Sequence, residues 1–346
     1  MVRTTDIGID LGSSKTVIFS DSKIVLETPS VVTIETDTAE PVYFGENARM
    51  TMGRTPDSMT CVQPIKNGII ADYDLALAML KNYMQTCFGK KILRPRVMAA
   101  LPTGVTELQH HSLEQLVLES GGRNVTVIEN PIAVAIGFGL DFSKPKGSLI
   151  VDMGAGSTDI ATISMGGIAQ CDSFKVAGYT FDELIEKYVR KEYNIAIGPL
   201  TAENIKKQLS TVVKRPVEVA IMAKGRNLIT GLPETFEITS TEVFDVIYET
   251  ALSICNAIRK VLEKTDPDLV ADIMNDGIYL TGGTSLMNGM SELLSNYFGT
   301  KIHTDPDPTH SVVRGAAIAL KNPDLLSNVD FQYRSINELK IDGDLF

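Results

Sequence analysis

Two short turns rich in glycine and serine each follow an aspartate that ends a β-forming run. They read Asp10-Leu11-Gly12-Ser13-Ser14-Lys15-Thr16 and Asp152-Met153-Gly154-Ala155-Gly156-Ser157-Thr158. Glycine allows a ligand to approach the backbone, and N–H groups and hydroxyls in a concave turn bind phosphate oxygens. One such turn alone is most often an ordinary hairpin. Two copies, each with an aspartate two residues before its first glycine, predict a phosphate-binding site.

Asp10 and Asp152 are expected to face each other across a cleft, beside the phosphates. Hard carboxylate oxygens suit Mg²⁺, which proteins bind partly through water. The alternative role for either aspartate is to cap its own turn. Lys15 is predicted to neutralise a phosphate, and its alternative is a solvated lysine.

A third glycine motif, Gly282-Gly283-Thr284, follows the strand-like run 277–281. A glycine pair lets a flat ring lie over the backbone, so this motif is a candidate nucleoside site. Alone it is a weak signal, because Gly-Gly at a strand end is commonly only a turn. Two segments of small residues, 129–139 and 313–319, predict helices that cross closely between domains or pack in an ordinary core.

The elements that must position these turns alternate between strands and helices. Each turn is read as the tip of a β-hairpin that opens one half of the molecule. Apolar residues at three- and four-residue steps predict helices, and Thr180 and Glu183 have the spacing of a capping box at a helix start. The predicted helices are 75–88, 106–120 and 241–263, and the predicted strands are 96–101, 125–128 and 277–281. This order indicates an α/β protein with mixed sheets flanked by helices.

The polar, mixed stretches suggest one inserted subdomain in each half. The predicted first-half core is 1–31, 71–139 and 310–330, with an insertion at 32–70. The predicted second-half core is 140–179 and 246–309, with an insertion at 180–245. Residues 331–346 are expected to form a polar tail.

Composition narrows the class of protein. The 346 residues carry a net charge of −11, which argues against a nucleic-acid binder. The four cysteines are far apart and form no CxxC pair, which suits a reducing compartment. We find neither an apolar run of about 18 residues nor a signal peptide, so the sequence predicts a cytoplasmic protein.

Taken in order, the first turn, the first small-residue segment, the second turn, the glycine pair and the second small-residue segment resemble the actin, sugar kinase and chaperone ATPase superfamily. Over about residues 4–320 the chain is similar to bacterial actins of the MreB type. Stretches that carry this similarity include 51–56, 64–73, 95–97, 201–206 and 228–233. The resemblance implies an actin-like two-domain ATPase fold that binds ATP or ADP with Mg²⁺.

The resemblance also assigns residues to the nucleotide. It places the phosphates at Gly12, Ser13, Ser14 and Thr16 and at Gly154, Ala155, Gly156, Ser157 and Thr158, to which the charge of Lys15 adds that residue. It places the ribose and adenine at Glu203, Lys206, Gly282, Gly283 and Thr284, while the carboxylates themselves predict Mg²⁺ at Asp10 and Asp152, partly through water. Asn130, Ser157, Asp10 and Asp152 are the expected catalytic group.

Three positions depart from the family pattern. Lys15 replaces a neutral polar residue, and Ser157 replaces a threonine while keeping the hydroxyl. Asn130 stands before Pro131, where the family has the glutamate that orients the attacking water. Glu129 precedes Asn130, but the turn from strand to helix is expected to point it elsewhere. The sequence therefore predicts ATP binding with slow hydrolysis.

The resemblance further implies filaments at the inner face of the cell membrane that organise cell shape. The expected partners are other copies of the chain, the membrane and membrane proteins of the shape machinery. The loop 88–94 combines Phe88, Ile92 and Leu93 with basic residues, which suits weak binding to anionic lipid. The alternative is that Ile92 and Leu93 pack beneath the following strand.

Two other function classes share the superfamily. A metabolic kinase acting on a small-molecule hydroxyl needs a catalytic aspartate and substrate-binding residues in the insertions, and no such set stands out. A chaperone ATPase needs a long C-terminal substrate domain, which is not expected after the core motifs.

Overall fold

The computed structural model describes residues 6–89, 94–326 and 334–335. The first half of the chain begins with the predicted hairpin and ends with a helix of small residues. In chain order its elements are β1 (Asp6–Leu11), β2 (Lys15–Ser20), β3 (Lys23–Pro29), β4 (Val32–Glu35), β5 (Pro41–Phe44), α1 (Gly45–Thr51), β6 (Met59–Val62), β7 (Ile65–Lys66), β8 (Ile69–Ile70), α2 (Tyr73–Phe88), β9 (Arg96–Leu101), α3 (Glu107–Glu119), β10 (Asn124–Glu129) and α4 (Asn130–Phe138).

The second half begins with the second predicted hairpin. Its elements are β11 (Ser148–Met153), β12 (Thr158–Ser164), β13 (Gly167–Phe174), α5 (Gly178–Tyr193), β14 (Ile195–Ala196), α6 (Pro199–Leu209), β15 (Ala220–Asn227), β16 (Pro233–Thr239), α7 (Ser240–Lys264), α8 (Pro267–Asp276), β17 (Ile278–Thr281), a 3₁₀ helix (Gly283–Leu286), α9 (Met290–Phe298), β18 (Ile302–Thr304), α10 (Ser311–Lys321), a second 3₁₀ helix (Pro323–Leu326) and β19 (Arg334–Ser335). The helices predicted at 75–88, 106–120 and 241–263 correspond to α2, α3 and α7.

Two large mixed sheets repeat one arrangement. Their strand orders are β19-β10-β9-β1-β2-β3 and β13-β12-β11-β17-β18. In the first sheet β1 pairs antiparallel with β2 and parallel with β9, and in the second β11 pairs antiparallel with β12 and parallel with β17. The repeat seen in the two turn motifs therefore extends to the sheets that hold them.

The central strands are apolar on both faces because helices cover both sides of each sheet. Ile7 and Ile9 in β1 are fully buried, as are Leu149, Ile150 and Val151 in β11. Each half has its own apolar core, and a third cluster lies between the two sheets. Rigid central strands therefore end at both predicted phosphate turns.

The helices α4 and α10 form the layer between the sheets. α10 packs on β1 and β9, and α4 packs on β11 and β12. A Cβ atom on Gly315 would overlap the carbonyl of Ala133, and one on Gly137 would lie 2.8 Å from the carbonyl oxygen of Ser311. The small residues thus let the two helices cross in backbone contact, as predicted.

Smaller sheets form within the predicted insertions. Strands β5, β4 and β6 pair beside α1 in residues 32–70, and β14, β15 and β16 pair in residues 180–245. Of the predicted tail, residues 334–335 pair antiparallel with β10.

The predicted start of α5 is wrong. The helix begins at Gly178, after Ala177, and Thr180 lies inside the first turn, where its hydroxyl accepts from the N–H of Ala177. The N–H groups of Gly178 and Tyr179 donate to carbonyl oxygens of the second glycine-rich turn at 3.2 and 2.8 Å. These tertiary partners satisfy the first helical N–H groups, so a side-chain cap at Thr180 is unnecessary.

Candidate functional site

The two glycine-rich turns line one cleft of about 680 Å³. Between the last paired positions of the two hairpins lie Gly12–Lys15 and Gly154–Ser157. A Cβ atom on Gly156 would lie 2.6 Å from the hydroxyl oxygen of Ser13 and 2.9 Å from the Cα of Asn67. Glycine at position 156 is therefore required by the close approach of the turns.

The third glycine motif also reaches this cleft. Gly282 has a positive φ of 86°, and a Cβ atom there would lie 2.5 Å from a carboxylate oxygen of Asp152. The Thr284 hydroxyl donates to the carbonyl oxygen of Gly154 at 2.7 Å. The nucleoside motif is thereby fixed against the second turn.

Three carboxylates lie behind the turns. Burial raises the pKa of Asp10 to about 6, although Lys15 and His310 favour its charged form. Burial raises the pKa of Asp152 well above its usual value, and the charges of Asp159 and Asp10 raise it further. Burial raises the pKa of Asp159 to about 6. Charged carboxylates that lie close together with little solvent repel one another, so binding of a cation between them is favourable.

These residues fit the Mg²⁺ ion that the sequence predicted. The donor set is carboxylate oxygen, which Mg²⁺ prefers, and the carboxylates lie beside the phosphate turns. Asp10 and Asp152 both line the cleft, so they can reach an ion directly or through its waters.

Lys15 points into the cleft but already has partners. Its ammonium group forms an ion pair with Glu27 and lies 3.5 Å from Nε2 of His310. His310 in turn contacts Glu27 at 3.2 Å. The positive charge predicted for the phosphates is therefore shared with a neighbouring carboxylate.

Glu203 and Lys206 extend from α6 into the cleft. Glu203 accepts from Arg49 and forms an ion pair with Lys207, both at 2.6 Å. Lys206 donates to Asp182 and to the carbonyl oxygen of Gly178, both at 2.8 Å. Both predicted ribose and adenine residues are thus held in place by other side chains.

Asn130 begins α4 and lines the cleft beside the second hairpin. Its amide nitrogen donates to Asp159 at 3.2 Å. Its amide oxygen is buried and has no hydrogen-bond partner among the described residues. Glu129 does not line the cleft, in agreement with the expectation that it points elsewhere.

The structure corrects the positions of two predicted phosphate residues. The hydroxyl of Thr16 is buried against the hydroxyl of Ser30, and the hydroxyl of Thr158 donates to the carbonyl oxygen of Val176. Both threonines occupy strand positions at which the hydroxyl is turned away from the cleft. The other predicted nucleotide and catalytic residues line it: Asp10, Gly12, Ser13, Ser14, Lys15, Asn130, Asp152, Gly154, Ala155, Gly156, Ser157, Glu203, Lys206, Gly282, Gly283 and Thr284.

Sequence reasoning missed several polar residues of the cleft, among them Asp159, Arg49, Tyr179 and Asp182. Asp159 pairs with Asp152 in the hairpin register, and that register was readable from the motif. Arg49, Tyr179 and Asp182 also line the cleft. No local sequence pattern identified Arg49, Tyr179 or Asp182, because their roles depend on contacts between distant segments.

The predicted membrane loop is only partly described. Ile92 and Leu93 lie outside the described residues. Phe88 is partly buried against the first-half core, so it is not a freely exposed membrane contact. In the parts of the chain that the structure describes, every helix is too short or too polar to span a bilayer.

The two repeated sheets, the crossing helices between them and the cleft at the hairpin tips define an actin-like nucleotide-binding fold. The family model for the MreB/Mbl protein matches residues 4–328. The chain therefore belongs to the MreB/Mbl family of actin-like cytoskeletal proteins. These findings favour that class over the metabolic kinase alternative.

Named relatives resemble almost the whole chain. It is 38% identical to the cell shape-determining protein Mbl of Bacillus subtilis over 323 residues, which cover 93% of this chain and 97% of Mbl. It is 35% identical to the cell shape-determining protein MreB of Escherichia coli over 329 residues, which cover 93% of this chain and 95% of MreB.

Solved structures agree with this assignment. MreB5 of Spiroplasma citri bound to ADP superposes with a TM-score of 0.88 at 33% identity and covers 94% of this chain and 98% of MreB5. The MamK double helical filament superposes with a TM-score of 0.76 at 19% identity, covers 92% of this chain and 99% of MamK, and shows the fold alone.

Proposed function

We propose that this chain binds ATP with Mg²⁺ in the cleft, polymerises, and hydrolyses the nucleotide slowly. The observation that carries the proposal is the approach of the two glycine-rich turns with buried carboxylates behind them. MreB5 of Spiroplasma citri, which is 33% identical, is described bound to ADP and, in a second structure, to AMPPNP.

The turns supply the contacts to the phosphates. Backbone N–H groups of both turns, with the hydroxyls of Ser13, Ser14 and Ser157, donate hydrogen bonds to phosphate oxygens. Asp10 and Asp152 hold Mg²⁺, which neutralises negative charge on the phosphates when bound. Glu203, Lys206 and the 282–284 motif bind the nucleoside.

Slow hydrolysis follows from Asn130. The free amide oxygen can accept one hydrogen bond from a water, but a neutral amide cannot take its proton. Absence of a general base typically costs on the order of 10²–10⁴-fold in rate. Phosphoryl transfer to water then depends on positioning and on the electrostatics of the turns.

Head-to-tail contact between copies does not close on itself and therefore gives filaments. We propose such filaments at the inner face of the cell membrane, with a role in cell shape like that named for Mbl and MreB. The loop 88–94 is the proposed membrane contact and membrane proteins are further proposed partners. The proposed domain division stays as the sequence predicted it, with insertions at 32–70 and 180–245.

Calorimetry with ATP in the presence and absence of Mg²⁺ tests the nucleotide site. Wild type is expected to bind ATP more tightly with Mg²⁺, and Asp152→Ala is expected to lose that difference because it lacks one hard ligand. Failure of the wild type to bind ATP with Mg²⁺ contradicts the proposal.

Sedimentation and electron microscopy with ATP and Mg²⁺ test assembly. Filaments that pellet support it, whereas a protein that binds ATP and stays monomeric contradicts it. Co-pelleting of filaments with anionic liposomes, compared with an Ile92→Ser/Leu93→Ser variant, tests the membrane contact. Equal co-pelleting by a variant that still polymerises excludes the loop.

A further inference from the structure

Polar side chains connect the two halves across the mouth of the cleft. Arg49, on α1 of the first insertion, donates to Glu203, on α6 of the second, at 2.6 Å. Their side chains are 33% and 24% exposed. Dissolved ions can therefore screen this ion pair. The pair connects two segments that are distant in sequence.

A second connection lies deeper and centres on Tyr179, at the start of α5. Its hydroxyl donates to the carbonyl oxygen of Ser13 in the first glycine-rich turn at 3.1 Å. The hydroxyl oxygen of Tyr179 also accepts from the side-chain amide of Gln63 at 2.9 Å. One hydroxyl thus joins the second half, the first phosphate turn and the first insertion.

These contacts differ from the joint formed by α4 and α10. That joint is an apolar layer of small side chains, with Gly315 against the backbone of Ala133. Apolar packing of this kind has no preferred hydrogen-bond geometry, so it tolerates small rotations better than directional bonds do. The polar contacts across the cleft are directional bonds that must break when the halves separate.

We propose that Arg49–Glu203 and Gln63–Tyr179–Ser13 form a clasp that retains the nucleotide, with Tyr179 and Arg49 as positioning residues. The inference rests on the proposed nucleotide site and goes beyond it by assigning the release rate to groups outside the phosphate turns. A bound nucleotide leaves only when the halves part, and parting breaks both connections.

The two connections are expected to respond differently to salt. An exposed ion pair is weak and screened, so its loss speeds release by about twofold to fivefold. A hydrogen bond of a mostly buried tyrosine is not screened, and its loss speeds release by about twofold to tenfold.

The test measures release of a fluorescent ATP analogue, loaded with Mg²⁺ and chased with unlabelled ATP in stopped flow, below the polymerisation concentration. The variants are Arg49→Gln and Tyr179→Phe. Matched controls are Arg54→Gln, an exposed arginine just beyond α1, and Tyr297→Phe, whose hydroxyl bonds Asn256 outside the cleft. Both clasp variants are expected to release faster than wild type, and both controls at the wild-type rate.

Ionic strength separates the clasp from a general loss of structure. Raising salt from about 0.05 M to about 0.5 M should speed release from wild type and Tyr179→Phe but leave Arg49→Gln nearly unchanged. The wild-type measurement needs no variant, so it stands if a variant misfolds. If both clasp variants bind the ATP analogue tightly and release it at the wild-type rate, the clasp proposal is wrong, while the proposed nucleotide site stands. Absence of binding by wild type overturns the proposed nucleotide site and the clasp with it.

Discussion

The first and second glycine-rich turns have one backbone plan and different electrostatic surroundings. Both join antiparallel strands of a central sheet, and both are preceded by an aspartate that lines the cleft. Near Asp10 stand the basic side chains of Lys15 and His310, whereas near Asp152 stand the carboxylates of Asp159 and Asp10. The aspartate of the second turn is therefore harder to ionise without a bound cation.

The two turns show which features the internal repeat duplicates and which features it does not. The hairpin copies backbone geometry, because strand pairing fixes where the turn begins and ends. It does not copy charge, because the groups around each turn come from other segments, such as Glu27 at the first turn and Asn130 at the second. The second turn is therefore the side on which we propose that the attacking water is positioned.

The largest expected effect tests that assignment. Asn130→Glu supplies a charged base beside the second turn and is expected to raise phosphate release by on the order of 10²-fold under matched polymerising conditions. Asn130→Gln is the matched control, since it has the length of glutamate without the charge, and it should stay within about threefold of wild type. Equal rates for wild type and Asn130→Glu, or a faster wild type, would show that the Asn130 amide already positions the attacking water adequately.

The second-largest expected effect tests whether ATP binding requires the two glycine-rich turns to lie in contact. Gly156→Ala puts a methyl group against Ser13 and the backbone at Asn67, so the turns must separate. Overpacking of roughly 1–3 kcal/mol predicts a loss of ATP affinity of about fivefold to 150-fold, measured by calorimetry.

Two further alanine variants serve as controls for that measurement. Gly154→Ala meets only the carbonyl oxygen of Ser157, at 3.1 Å, so its loss of affinity should be smaller. Gly167→Ala meets nothing within 4 Å and should bind ATP as wild type does. Equal affinity for Gly156→Ala and wild type would mean that the two turns bind independently.

The smallest expected effect tests the electrostatic difference between Asp10 and Asp152. A carboxyl whose pKa is higher in the folded than in the unfolded protein destabilises the fold as the pH rises above the unfolded value, and this penalty is complete above the folded value. Without nucleotide or Mg²⁺ at pH 7, Asp152→Asn should therefore raise the melting temperature by about 2 °C, the shift that roughly 1 kcal/mol produces in a large domain.

Asp10→Asn should raise the melting temperature less, because Lys15 and His310 already stabilise the charge of Asp10. For Asp10→Asn the gain should shrink as the pH falls below about 6, the folded pKa of Asp10, and for Asp152→Asn it should also shrink as the pH falls towards the ordinary carboxyl range. Differential scanning calorimetry at pH 7 and pH 5 measures it. A larger gain for Asp10→Asn would reverse the proposed contrast.

The sequence by itself determined the elements whose causes are local. β-forming runs around each glycine-rich turn specified both hairpins, and apolar residues at three- and four-residue steps specified α2 and α7 to within about two residues. Small residues in two segments predicted helices that either cross closely between domains or pack in an ordinary core, and α4 and α10 do cross closely. The ordered motifs also carried the resemblance that the family match confirmed.

Tertiary structure decided what depends on contacts between distant segments. The start of α5 moved because carbonyls of the second turn satisfy its first N–H groups. Thr16 and Thr158 turned inward because buried hydroxyls need partners, which Ser30 and Val176 provide. The partners of Glu203 and Tyr179 are Arg49, Gln63 and Ser13, and no local pattern brings these residues together. Only the closed arrangement of the two halves places them within hydrogen-bonding distance.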